Sequence, residues 1–301
     1  MTHGRAPDLD VRSLGIVGAG LMGTGIAEVA AASGFRTVLI KVTGGDPAAP
    51  LERISRALAR LTVTGDRDAL VAADLVVESI IEDLGEKRAV FSDLVQRTGE
   101  RAVLATNTST LRLRDLAAPS YRDRLVGMHF FSPVQAMGLV ELAHLPDTRP
   151  EVVRACQDVI GRMGKTAVPV VDSAGFVVNR LLVPYLVGAV AAYAQGLAGA
   201  VEIDTAMKLG CNHPVGPLSL CDLIGLDVVL AMSKLLYREF ADDRFRPPPL
   251  LRRMVHDGQL GRKTGLGFYD YSQSPPVPNK ALYPLIHGEL DELHGDVGHA
   301  A

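Results

Sequence analysis

The chain has 301 residues, of which 48% are hydrophobic and 22% charged, with 31 Lys and Arg against 34 Asp and Glu. A net charge of −3 excludes a polybasic nucleic-acid binder, and the hydrophobic content excludes a disordered or collagen-like chain. Three cysteines without a CxxC pair exclude a secreted disulfide scaffold, and no apolar run reaches the ~18 residues that a membrane helix needs. Met1 to Ser13 is polar and lacks the apolar core of a signal peptide, so a reducing, cytoplasmic setting without membrane contact is expected.

Leu14 to Val17 reads as a buried strand that ends in glycines. Ile26 to Ala32 reads as a helix closed by Gly34, and Phe35 to Ile40 as a second strand. A turn at Gly44 to Pro47 leads to a short helix over Leu51 to Leu61. Leu75 to Glu78, Ala102 to Ala105, Val126 to Phe131 and Gly138 to Leu142 read as further strands, with a helix over Lys87 to Val95. Strands alternating with helices predict an α/β fold with a mostly parallel, Rossmann-type sheet. From Phe176 onward the strand signals stop. Helices over 176–195, 202–210, 217–238 and 249–257 predict a second, all-helical domain. The expected division is 1–172 for dinucleotide binding and 173–301 for substrate binding and dimerisation.

Gly18, Gly20 and Gly23 match G-x-G-x-x-G between a strand and a helix, with Leu21 and Met22 inside the loop. The first glycine permits the turn, the second lets a pyrophosphate approach, and the third lets helix and strand pack. An acid normally follows the second strand and grips the ribose 2′-hydroxyl. This chain has Lys41 there, which cannot accept a hydrogen bond but can pair with the 2′-phosphate of NADP. Thr43 and the backbone of Gly44 and Gly45 offer further donors. A solvated Lys41 beside a bound NAD is the other reading, so the cofactor is NAD or NADP.

Glu141 stands alone in the apolar strand Leu139-Val-Glu-Leu142. Burying it unpaired would cost several kcal/mol or force its protonation. His129, twelve residues earlier at a strand end, is the partner that removes that cost, and a carboxylate would fix its tautomer. Ser109 lies beyond the carboxyl end of another strand, where open α/β sheets bind ligands. Asn179 lies in the first helix of the second domain.

With these pieces the chain resembles the short-chain L-3-hydroxyacyl-CoA dehydrogenases, including the bacterial 3-hydroxybutyryl-CoA dehydrogenases. GIVGAGLMGTGIA (15–27), ADLVVESIIED (73–83), LATNTSTL (104–111), GMHFFSPV (127–134), DSAGFVVNRLLVPYL (172–186), HPVGPLSLCDLIGLD (213–227) and GRKTGLGFYDY (261–271) match in order. The resemblance implies an enzyme that moves a hydride between a nicotinamide cofactor and a 3-hydroxyacyl thioester. It implies that His129 is the general base or acid, that Glu141 orients it, and that Ser109 and Asn179 bond the reacting oxygen. It also implies cofactor contacts at Glu82, Lys87, Ser132 and Lys263, and a homodimer formed by the helical domain. No metal is implied.

Three departures stand out. Lys41 replaces the family's Asp, and Ser132 its Asn. Only Val42 to Leu61 fills the space of a long helix pair that carries CoA contacts in the family. Similar shortened members oxidise acyl-carrier-protein thioesters in making polyketide extender units. The substrate is therefore expected on CoA or on an acyl carrier protein. A β-hydroxyacid dehydrogenase with a lysine base and a non-catalytic dinucleotide-binding protein are the competing readings.

Overall fold

The computed structural model describes residues 9–42 and 58–282. Contacts divide the chain into two units, Met1–Val177 and Val178–Ala301.

The first unit is built on an eight-stranded sheet. Its strands are β1 (Ser13–Val17), β2 (Arg36–Ile40), β3 (Leu61–Thr64), β4 (Leu75–Glu78), β5 (Val103–Thr106), β6 (Leu125–Phe130), β7 (Leu139–His144) and β8 (Thr166–Val171). They lie in the order β3-β2-β1-β4-β5-β6-β7-β8. All neighbours are parallel except β6 and β7, so the last two strands run against the rest. Strand order turns back on either side of β1, and open sheets of this kind bind ligands at such a switch, outside the carboxyl ends of the strands.

Two helical layers cover the sheet. Helices α1 (Leu21–Ala32) and α4 (Pro150–Arg162) bury Ile26, Ala30, Val152 and Val159 with one set of strand side chains. Helix α2 (Leu84–Arg97) and the short α3 (Leu113–Leu116) bury Val90, Phe91, Leu94 and Leu116 with another. Because both faces are covered, the central strands are continuous apolar runs.

The second unit contains helices α5 (Val178–Ala194), α6 (Ala200–Gly210), α7 (Pro217–Ile224), α8 (Leu226–Phe240) and α9 (Pro249–His256). A two-residue antiparallel pair, β9 (Tyr269–Asp270) with β10 (Val277–Pro278), adds the only sheet among its described residues. Its core gathers Leu186, Val190, Leu218, Leu226, Val229, Leu251 and Phe268.

Several expectations need correction. The helix expected over Leu51 to Leu61 lies mostly outside the described residues, and Leu61 instead opens β3. The single helix expected over 217–238 is two, parted at Gly225, whose φ of 102° is left-handed and stops α7. Strand β8 and helix α4 carry no counterpart in the sequence reading.

Candidate active site

The glycine loop joins β1 to α1. Gly18 has φ 111°, and a Cβ there would strike the backbone carbonyl of Ser79. A Cβ on Gly23 would strike the carbonyl of Gly18, so this glycine lets helix and loop close together. Gly20 differs, because a Cβ on it would meet nothing within 4 Å. The space beside Gly20 is room for a ligand rather than for packing. Gly20 is also the N-cap of α1 and offers no capping side chain, so the first-turn N–H groups remain for an anion.

This loop forms one wall of a cleft of about 640 Å³. Leu21, Met22, Lys41, Ile81, Glu82 and Ser109 also line it. Leu21 and Ile81, both lining this cleft, are each 70% exposed and offer it apolar surface. Lys41 follows β2 directly. The Gly18 amide donates to the Ile40 carbonyl (3.0 Å) and the Lys41 amide to the Thr64 carbonyl (3.0 Å), so the backbone holds Lys41 at the cleft. Thr43, Gly44 and Gly45 lie outside the described residues.

On the other wall, one oxygen of Glu82 accepts four hydrogen bonds. They come from the Thr108 hydroxyl (2.5 Å), the Ser109 amide (3.0 Å), the Thr110 amide (3.0 Å) and the Thr110 hydroxyl (2.8 Å). Burial alone would raise the Glu82 pKa, but the charge of Lys87 and these hydrogen bonds outweigh it and hold the carboxyl below its ordinary value. Lys87 itself is 1% exposed, with its ammonium 2.7 Å from Glu78 and 3.4 Å from Glu82. It thus sits behind Glu82, not on the cleft surface.

His129 and Glu141 face each other across the antiparallel pair β6 and β7. Directly opposed residues project to one face of the sheet. His129 Nδ1 lies 2.8 Å from a Glu141 oxygen, and both side chains are nearly buried. The other Glu141 oxygen accepts from the Val177 amide at 3.0 Å. An ionised Glu141 accepts only, so Nδ1 carries the proton and Nε2 keeps the accepting lone pair. Phe131 and Phe176 flank the imidazole, with ring centroids 4.5 and 5.8 Å away. The amide of Phe130, next to His129, donates to Asn107 (2.9 Å), which lines the cleft. This bond ties the end of β6 to the end of β5, where Ser109 follows.

The remaining expected residues have other settings. Ser132 follows β6 directly, just past Phe131. Asn179 is buried in the first turn of α5, in the second unit. Lys263, also in the second unit, holds Asp227 at 2.5 Å. Glu78 escaped the sequence reading, although it shares with Glu141 the signal of a lone carboxylate in an apolar strand.

Comparison with known proteins decides the family. The NAD-binding domain of 3-hydroxyacyl-CoA dehydrogenases matches residues 13–61 and 49–173, and the C-terminal domain of the same enzymes matches residues 175–271. The chain belongs to the 3-hydroxyacyl-CoA dehydrogenase family. It is 40% identical over 279 residues to a 3-hydroxybutyryl-CoA dehydrogenase of Clostridioides difficile, covering 86% of this chain and 99% of that one. The crystal structure of (S)-3-hydroxybutyryl-CoA dehydrogenase from Ralstonia eutropha is similar with a TM-score of 0.84 and 40% identity, over 88% of this chain and all of that one. A 3-hydroxyisobutyrate dehydrogenase of Mycobacterium tuberculosis shares only the fold, at 12% identity and a TM-score of 0.56 over 82% of this chain and 92% of that one. The NAD-binding matches overlap at residues 49–61, inside the span Val42 to Leu61 read as standing where the family has a long helix pair. Among the described residues no helix is long and apolar enough to cross a membrane, and no cluster of ligands could hold a metal.

Proposed function

We propose that the protein is a nicotinamide-dependent 3-hydroxyacyl-thioester dehydrogenase with His129 as its proton-transfer group. The observation that carries this reading is the His129–Glu141 pair, at 2.8 Å across β6 and β7, next to Phe130, whose amide is bonded to the cleft residue Asn107. When bound, the nicotinamide supplies the acceptor or donor of the hydride. In the oxidising direction, Nε2 of His129 takes the proton of the 3-hydroxyl as the carbinol becomes a carbonyl. In the reducing direction it returns that proton. Glu141 keeps Nε2 free to accept and stabilises the imidazolium that forms. Ser109 donates to the reacting oxygen, and by family resemblance Asn179 does the same.

Lys41 makes NADP the preferred cofactor. Its place at the end of β2 is the ribose position of this fold, and an ammonium there pairs with a 2′-phosphate. A charge-assisted contact of this kind is worth about 1.5–3 kcal/mol, or roughly tenfold and upward in affinity. Titration with NADH and NADPH tests it. The wild type is expected to bind NADPH about tenfold tighter or more, and Lys41→Asp to reverse the order. An unchanged preference in that variant removes Lys41 from the assignment.

The substrate is an acyl-CoA, as the names of the relatives indicate for those enzymes. A carrier-protein thioester is the second reading, favoured by the 20 residues of Val42 to Leu61 that stand where the family carries CoA contacts. Turnover of acetoacetyl-CoA is compared with that of the same acyl group on an acyl carrier protein. Equal or faster turnover on CoA removes the carrier reading. The helical unit is assigned as the surface of a homodimer in the cytoplasm, which sedimentation and fractionation test.

A further inference from the structure

We infer that Glu78 and Lys87 are positioning residues, a buried ion pair that fixes Glu82 and through it the turn that presents Ser109 to the cleft. The inference rests on the role proposed above for Ser109. Family resemblance places Lys87 beside the cofactor, and the geometry gives it a task within the protein as well. Its side chain is 1% exposed and that of Glu78 is fully buried, whereas Glu82 keeps 34% exposure.

The pair is tied into the cleft at three points. One Glu78 oxygen accepts from Lys87 Nζ (2.7 Å) and from the amide of Ile80 (2.7 Å), itself a cleft residue. The other accepts from the Thr106 hydroxyl at 2.7 Å. The Thr106 hydroxyl in turn accepts from the Thr108 amide at 3.2 Å. From the opposite side Lys87 reaches Glu82 at 3.4 Å, and Glu82 gathers the donors of Thr108, Ser109 and Thr110 onto one oxygen. Ser109 is thus held from both ends by one network that starts at the Lys87 ammonium.

Charge balance explains why an ammonium is needed. Glu78 and Glu82 bring two carboxylates to one place, and one of them lies wholly out of water. Without a cation between them, one would take up a proton or turn away. Glu82 is the one able to leave, because it is partly exposed. Its departure would release four hydrogen bonds of the 108–110 turn. Displacing a binding group by ~1 Å is enough to cost about a hundredfold in rate.

The test uses the full chain with NADPH and acetoacetyl-CoA as probes, comparing Lys87→Met, Ser109→Ala and the combination. Lys87→Met is expected to lower kcat/KM by about tenfold to a hundredfold. In the Ser109→Ala background the same change is expected to cost less than about threefold, because the group it positions is already gone. Hydrogen exchange of the 106–112 segment supplies a readout independent of turnover, and protection of the Ser109 and Thr110 amides is expected to fall in Lys87→Met. Additive losses, or unchanged protection, overturn the inference alone. A Ser109→Ala enzyme as active as the wild type overturns the role of Ser109 and the inference with it. If Lys87→Met does not fold, Glu78→Gln with Lys87→Met removes both buried charges together; with no second carboxylate to repel Glu82, the 108–110 amides are expected to keep their protection and kcat/KM to fall by less than about threefold, and a loss of both overturns the charge-balance argument.

Discussion

Two buried carboxylates in each unit are satisfied differently. In the sheet unit, Glu78 meets the ammonium of Lys87 and Glu141 meets the imidazole of His129. In the helical unit, Asp204 accepts from the amides of Leu218 and Ser219 and from the hydroxyls of Ser219 and Tyr269. Asp222 accepts from the amides of Phe268 and Tyr269 and the hydroxyl of Tyr271. Fixed dipoles hold a carboxylate in place but exchange no proton near neutral pH. An imidazole can do so, whereas an ammonium keeps its charge there. Burial of an acid is therefore a poor sign of chemistry, and a partner able to exchange a proton is a better one.

The largest expected effect breaks the sheet-unit pair at its basic end. His129→Gln keeps size and polarity but loses the proton-transfer group, so kcat should fall by about 10²–10⁴-fold. Cofactor affinity should stay within about twofold, since the glycine loop and Lys41 are untouched. Steady-state turnover beside a fluorescence titration of NADPH checks both. Residual turnover near the wild-type level would mean that the proton moves elsewhere, as in enzymes with a lysine base.

Glu141→Gln comes next. An amide can still bond the imidazole, but it carries no charge to stabilise the imidazolium and allows the wrong tautomer. A fall in kcat of roughly tenfold to a hundredfold is expected, smaller than for His129→Gln because the base remains. If both single variants and their combination lose the same factor, the two side chains act as one unit, and a double-mutant cycle measures this directly.

What could be read beforehand follows the same division between centre and edge. Strands β1, β2, β4, β5, β6 and β7 are legible because helices cover both faces and the residues are mostly apolar, with Glu78, His129 and Glu141 among the few exceptions. The two strands that the reading misses, β3 and β8, are the two edges of the sheet. β8 exposes much of its length and contains Pro169, a residue that argues against a strand except at an edge. β3 is as short as β4 and β5 but, unlike them, leaves three of its four residues at least partly open to solvent. Glu141 and His129 are legible as a pair because a buried acid demands a partner. Glu78 poses the same demand, but its partner Lys87 lies on the following helix, where a lysine reads as an ordinary solvated residue. Four bonds converging on Glu82 depend on the turn's shape, which no spacing reveals.

Asp204→Ala sharpens the comparison from the other unit. Two amides of the first turns of α7 and two hydroxyls would lose their acceptor. The expected cost is about 2 kcal/mol or more in unfolding free energy, from the combined loss of a cap and of buried bonds. Turnover per folded molecule should change less than about twofold if this carboxylate serves the fold alone. Urea unfolding followed by activity on the folded fraction separates the two.

The smallest expected effect is a dependence on pH. Burial pushes Asp222 up to about 6 despite the amides of Phe268 and Tyr269 and the hydroxyl of Tyr271, and the charge of Asp204 adds to the rise. In the unfolded chain the same acid titrates at its ordinary value near 4. Between these values the folded state holds the proton and the unfolded state has released it. Stability from this group therefore declines as pH rises from about 4 to about 6, and levels off above. Other groups also titrate in that range, so the informative quantity is the difference from Asp222→Asn, which cannot ionise. That difference should drift against the wild type across the window and stay flat beyond it. A parallel course of the two proteins would mean that the three donors keep Asp222 ionised throughout, and that dipoles alone suffice to hold a buried charge here.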